Sequence, residues 1–206
     1  ATTYIYTLSL QHPLAILLYN TDAVVGVSKE ITEALKSVFP NRSRKIANIS
    51  NGVDIERFTI HIDRDQVRAE WGLSPDNLVI GTVANFRKVK NHTCLIRAFN
   101  TLSVTYPNTR LMLVGRGYTD DKESSEEEIK QLIHLQKLEN RVIFTGYRED
   151  IPNVLKSFDV FCLPSLSEGL PVSILEAMAA RVPVVGSDVR GIREVISHDK
   201  TGLLFP

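Results

Sequence analysis

The stretch Ser167-Glu168-Gly169-Leu170-Pro171-Val172-Ser173-Ile174-Leu175-Glu176-Ala177-Met178 holds the residues best suited to chemistry in this chain. Pro171 falls where a first helical residue would sit, so the free backbone N–H groups just after it, from Val172 onward, would face an anion. Gly169, with Leu170 beside it, lets the main chain pass close to a ligand. Glu168 lies in the loop before the helix and Glu176 lies inside it, which puts two carboxylates around one pocket. Carboxylates beside an anion site suit a hydroxyl-rich ligand, because they accept hydrogen bonds from sugar or ribose hydroxyls. Spacing alone leaves an equal alternative, with Glu176 a solvated helix residue and Glu168 a surface charge.

These residues must be positioned by a larger pattern. From Asn77 onward short apolar runs alternate with amphipathic segments. Strands are expected at Leu78–Ala84, Arg110–Val114, Val142–Thr145, Val160–Leu163, Val182–Gly186 and Gly202–Phe205. Helices are expected near His92–Val104, Glu126–Leu138, Ile151–Ser157, Pro171–Ala180 and Gly191–Ile196. This alternation implies right-handed crossovers and an α/β, doubly wound, Rossmann-like parallel sheet buried on both faces. Such sheets bind ligands beyond the carboxyl ends of their strands. Lys90 and Arg87 follow the first of these strands at that end, although Arg87-Lys88-Val89-Lys90 taken alone reads more readily as a solvated basic loop.

Upstream, Ala23–Val27 and Lys45–Ile49 read as two strands separated by a helix from Ser28, a plausible N-cap, to about Val38. This is too little for a domain. Residues 1–58 are therefore expected to be the tail of a preceding domain, with Asp54–Asp65 a polar linker and 59–206 the main domain. The last strand has no following helix to cover it, so the chain is expected to be trimmed at both ends.

The chain is 206 residues long, 43% hydrophobic and 23% charged, enough for one substantial core. Lys plus Arg (24) equal Asp plus Glu (24), so no overall field attracts nucleic acid or an anionic membrane. Cys94 and Cys162 lie in apolar contexts that favour buried free thiols, and so a cytoplasmic compartment. No apolar run reaches the roughly 18 residues of a membrane span. Tyr4–Tyr19 is apolar but broken at Pro13, too irregular to establish membrane contact. The acidic run from Asp120 to Glu128 reads as a solvated loop entering a capped helix and offers no metal geometry.

The string Glu168-Gly-Leu-Pro…Glu176-Ala-Met-Ala, two glutamates separated by seven residues, resembles the hallmark of the retaining GT-B glycosyltransferases of family four, the glycogen-synthase and sucrose-synthase-like group. Ser50-Asn51-Gly52-Val53-Asp54…Arg57-Phe58, Lys90-Asn91-His92 and Val114-Gly115-Arg116-Gly117 match further motifs in order, and the likeness runs from about Asp22 to Pro206. The resemblance implies that Glu168 contacts the donor sugar and Glu176 the ribose. It assigns the donor diphosphate to Lys90 and to an arginine, placed here at Arg87 because Ala84-Asn85 stands where relatives carry Gly-Arg. It implies that Gly115 passes near the nucleotide and that Arg148, in the loop Gly146-Tyr147-Arg148, lies near the base. Tyr147 could stack on a base or pack on the sheet edge, with packing slightly favoured, and His92 is expected to be a first-turn helix residue.

The implied reaction moves a sugar from a nucleotide diphosphate sugar to an acceptor hydroxyl with retention, without metal or other cofactor. Arg87, Lys90 and the helix N-terminus near Pro171 would stabilise the leaving diphosphate. A glycan or lipid-linked acceptor would be held by the first domain, in a parent enzyme peripheral to the cytoplasmic membrane face, and the isolated fragment would transfer little. Three rivals stand beside this reading: a non-catalytic nucleotide-sugar-binding module, an epimerase of the same architecture, and a Rossmann oxidoreductase. The last is disfavoured because Asp120 stands where a dinucleotide fingerprint has its third glycine.

Overall fold

A computed structural model describes residues 21–60, 63–118 and 121–206. The apolar Tyr4–Tyr19 segment and Asp120 lie outside the described residues. Eight strands are described: β1 Val24–Gly26, β2 Ile46–Asn48, β3 Leu78–Val83, β4 Thr109–Val114, β5 Val142–Gly146, β6 Val160–Leu163, β7 Val184–Ser187 and β8 Leu203–Phe205. The α-helices are α1 Lys29–Val38, α2 Glu56–Thr59, α3 Arg64–Ala69, α4 His92–Thr105, α5 Glu126–Leu135, α6 Ile151–Lys156, α7 Val172–Ala179 and α8 Arg190–Arg193.

Six strands form one sheet in the order β5-β4-β3-β6-β7-β8, every pair parallel. Side chains alternate across a strand, so β4 sends Met112 and Val114 to one core and Leu111 and Leu113 to the other, all four essentially inaccessible. The first core takes Val154, Leu155, Ile174 and Ala177 from α6 and α7, and the second takes Leu95, Ile96, Phe99, Ile129 and Ile133 from α4 and α5. The fold is therefore the α/β, doubly wound, parallel sheet that the sequence indicates. After β3 the chain builds outward through β4 and β5, then returns to β6 on the other side of β3. The loops leaving β3 and β6 thus part in opposite directions, and a crevice opens between their carboxyl ends.

Two expected boundaries shift for one reason. α5 stops at Leu135, not Leu138, and β7 starts at Val184, not Val182. Lys137 and Arg181 take left-handed backbones (φ 56° and 62°). Leu138 N–H then donates to Ile133 O at 3.0 Å and Val182 N–H to Ala177 O at 2.9 Å, closing Schellman turns without the usual glycine. α8 likewise covers Arg190–Arg193 rather than continuing to Ile196.

The stretch expected as a polar linker is partly helical. Phe58 of α2 is buried in the main core, and Asp63 caps α3 by accepting from Asp65 N–H at 2.9 Å and Gln66 N–H at 3.2 Å. Arg68 of α3, 2% exposed, reaches Asp159 at 2.6 Å, and Asp159 also accepts from Val79 N–H at 2.7 Å and pairs with Arg64. Burial pushes the Asp159 carboxyl up, but these donors outweigh it and hold the group below the usual range. Upstream, β1 and β2 pair in parallel around α1, and Ser28 Oγ accepts from Ile31 N–H at 3.2 Å, the N-cap read from the sequence.

Candidate functional site

After β3 the chain passes through Ala84-Asn85-Phe86-Arg87 into a 3₁₀ turn at Lys88–Lys90. Asn91 then adopts a left-handed conformation (φ 52°, ψ 41°) that asparagine tolerates, and α4 begins at His92. This turn lays Lys90 across the crevice, with Nζ 2.6 Å from Glu168 Oε1. Glu168 is set from the other side by the loop after β6: fully buried Ser165 donates its hydroxyl to the same oxygen at 2.6 Å, and Ser187 Oγ donates to Ser165 O. Leu166 N–H donates to Val89 O at 2.8 Å, joining the two loops. One carboxylate oxygen thus receives a cation and a hydroxyl, a charge-assisted arrangement that fixes its direction.

The crevice is a cleft of about 860 Å³. Arg87, Lys90, Glu168 and Gly169 line one part of it, Arg190, Gly191 and Arg193 another, and Ser28, Glu30, Ile31 and Ala34 of the α1 region the facing wall. Arg87 stands at the solvent edge, its Nε 2.6 Å from Asp121 Oδ2, and that hydrogen bond raises the guanidinium and lowers the carboxyl from their ordinary values.

The other expected residues do not line the cleft. Pro171 is the N-cap of α7 rather than its first residue, because its ψ of 112° is extended and the helix begins at Val172. The Leu170 carbonyl accepts from Asn51 Nδ2 at 2.9 Å, which ties the upstream segment to this loop. Glu176 is half-buried on α7, and burial pushes its carboxyl above the ordinary value against the opposing pull of Arg57. Gly115 has φ 140° at the end of β4, and a Cβ there would collide with the carbonyl oxygen of Ala84, so glycine is required whatever binds.

Arg148 is directed toward Asp150, 2.6 Å away, and over the Trp71 ring at 5.3 Å from its centroid. Tyr147 is 60% exposed rather than packed, with the Arg116 guanidinium 5.2 Å from its ring centre. Asp121 and Glu126 of the acidic run are tied down, not merely solvated: Glu126 accepts from Gly117 N–H at 2.7 Å and pairs with Lys130 at 2.8 Å. Ser125, at the N-cap of α5, makes no side-chain capping bond. His92 is a first-turn residue, 2% exposed, packed edge-on against Phe86. Both cysteines are free, but only Cys162 is buried while Cys94 is partly exposed, and burial pushes the Cys162 thiol up to about 12. Among the described residues no group of three or more His, Cys, Asp or Glu side chains could hold a metal ion, and no helix is long and apolar enough to cross a membrane.

The model of the family described as glycosyl transferases group 1 matches residues 63–206. The chain belongs to that family. It is 34% identical over 197 residues to the N-acetyl-alpha-D-glucosaminyl L-malate synthase of Bacillus anthracis, covering 95% of this chain and 49% of that protein. It is 30% identical to the lipopolysaccharide core biosynthesis mannosyltransferase LpsB of Rhizobium meliloti, covering 92% and 52%. The crystal structure of Anabaena HepE in complex with UDP and glucose superposes with a TM-score of 0.82 at 28% identity, over 94% of this chain and 52% of that one. This group 1 chain therefore spans about half the length of the relatives it matches.

Four further residues shape the candidate site of this group 1 chain. Ser165 and Ser187 look like ordinary polar residues at strand ends, and only the sheet order brings them to Glu168. Asn51 acts across 119 positions. Gly191 carried a signal, a glycine opening a helix: a Cβ there would collide with the carbonyl oxygens of Glu168 and Gly169, so α8 presses directly on the loop that carries Glu168.

Proposed function

We propose that this chain is the donor-binding part of a retaining hexosyltransferase that moves a sugar from a nucleotide diphosphate sugar to an acceptor hydroxyl. The observation that carries the reading is Glu168, fixed by Lys90 and Ser165 where β3 and β6 diverge. In this reading Glu168 orients the donor sugar, and Glu176 accepts from the ribose hydroxyls. Gly169, Leu170, Pro171 and Val172 present the start of α7 to the diphosphate, while Gly115 and Arg148 border the nucleotide end. The bond from the anomeric carbon to the diphosphate oxygen breaks with its electron pair leaving on the diphosphate. The acceptor oxygen bonds to that carbon from the same face, and the hydroxyl proton is released.

Lys90, Arg87 and the N–H groups of α7 meet the charge that develops on the leaving group. Lys90 would turn from Glu168 toward the diphosphate as the sugar hydroxyls take over the carboxylate. The donor class is supported by a structural relative, since HepE was crystallised with UDP-glucose as well as with UDP and glucose. Residues 1–58 belong, in this reading, to the acceptor domain and linker, and 59–206 to the donor domain. The acceptor is a glycan or lipid-linked sugar, and the free thiols Cys94 and Cys162 fit a cytoplasmic enzyme.

Calorimetric titration with UDP, GDP and ADP tests this. One nucleotide should bind, and both Glu176→Ala and Lys90→Ala should weaken it. Absence of binding by a folded chain to all three at millimolar concentration would remove the donor-site assignment.

A further inference from the structure

We infer that Glu194 is a positioning residue that clasps α1 over the cleft and so fixes the wall opposite Glu168. Its carboxylate sits at the start of α1, where Lys29 N–H donates to Oε2 at 2.9 Å and Glu30 N–H to Oε1 at 3.0 Å. These are the first two N–H groups of the helix, which have no partner within it. Ser28 serves the next one from the helix's own side, so two of the first three N–H groups of α1 are capped by a residue 165 and 164 positions away and one by the helix's own N-cap. Arg190, one turn before Glu194, adds an ion pair to Glu30.

The other end of this connection is rigid. Gly191 lies against the carbonyls of Glu168 and Gly169 with no room for a Cβ, and Ile192 is fully buried. A continuous path therefore runs from the loop of Glu168 through α8 to Glu194 and on to α1. The Glu194 and Arg190 contacts are solvent-exposed and polar, so they set a distance while remaining exchangeable with water, as a cleft that must admit and release ligands requires. Loss of Glu194 frees α1 to move away from Glu168 without disturbing the core. The inference rests on the proposed function only for the meaning of the cleft; the clasp itself rests on these contacts.

The test labels Ser37→Cys on α1 and Glu127→Cys on α5 with spin labels, in a Cys94→Ser background so that only the buried Cys162 thiol remains. Pulsed dipolar spectroscopy should give a narrow distance distribution for the parent. Glu194→Ala should broaden it and shift it to longer separations, and Glu194→Gln, which keeps an acceptor oxygen, should recover part of the narrow distribution. Ser28→Ala is the control: it removes a cap of the same helix without touching the connection, and should leave the distribution narrow. An unchanged distribution for Glu194→Ala, or equal broadening by Ser28→Ala, overturns the clasp. UDP titration of the same proteins reads the donor assignment separately, so a chain that fails to bind UDP but shows these distances loses only that assignment.

Discussion

His92 offers a sharp quantitative test of how the wall behind Lys90 is built. Its ring is 2% exposed, lies edge-on to Phe86 with centroids 5.0 Å apart, and has no hydrogen-bond partner at either nitrogen. A charged imidazolium there would be buried without acceptors and close to the Lys90 ammonium. Burial first, and Lys90 second, lower its pKa from 6.5 to about 4. The folded state therefore refuses a proton that the unfolded state takes below about 6.5, so stability is present above that pH and is lost as pH falls toward 4. At 1.36 kcal/mol per unit the whole loss is about 3 kcal/mol, of which roughly 2 is gone by pH 5. For a chain of this size that corresponds to a fall in Tm of roughly 4–8 °C between pH 7 and 5 from this group alone. Carboxylates contribute in the same window, so the measurement is a difference. Urea unfolding of the wild type and of His92→Leu from pH 7 to pH 4.5 should show a smaller pH slope in the variant, whatever constant offset repacking adds. Equal slopes, or an NMR titration of the His92 ring with a midpoint near 6.5, would refute the reasoning.

Glu176→Gln should separate binding from stability. Its raised pKa means the folded state holds a proton more tightly than the unfolded one, so the ionised form is a cost that appears as pH rises above the ordinary glutamate range. The variant should melt higher than wild type at pH 7 and equally at pH 4, yet lose donor affinity roughly ten- to hundredfold, the worth of a hydrogen bond to a charged group. Asp159→Ala leaves buried Arg68 without its counter-charge and Val79 N–H without its acceptor, and should cost about 3 kcal/mol in urea unfolding. Gly191→Ala forces α8 from the carbonyls of Glu168 and Gly169 and should cost roughly 1–3 kcal/mol of stability. Calorimetry on that folded variant should also show weakened nucleotide binding, because the Gly169–Val172 stretch that presents α7 to the diphosphate moves with the displaced loop.

The sequence by itself determined the class of fold and offered candidates for the site. Unbroken apolar runs such as Leu111-Met112-Leu113-Val114 agree with strands covered on both faces, and their alternation with periodic segments of helical length implies crossover helices. The spacing of Glu168 and Glu176 about Gly169 and Pro171 offered a helix N-terminus with two carboxylates but served a solvated pair equally well, and Lys90 stood at a strand's ligand end. Local backbone chemistry was less legible: Lys137 and Arg181 end their elements in left-handed turns without the glycine that signals them, and the helix at Glu56–Thr59 lay within, and that at Arg64–Ala69 began in, a stretch whose polarity resembles a linker. What only the tertiary structure decided is which distant residues meet. Sheet order is not written in any one segment, yet it alone places β3 beside β6, and so Lys90 and Ser165 on the same oxygen of Glu168. The same holds for Glu194 at the start of α1: nothing in its local sequence distinguishes it from a solvated glutamate, because the N–H groups it caps belong to a helix formed 164 and 165 positions earlier.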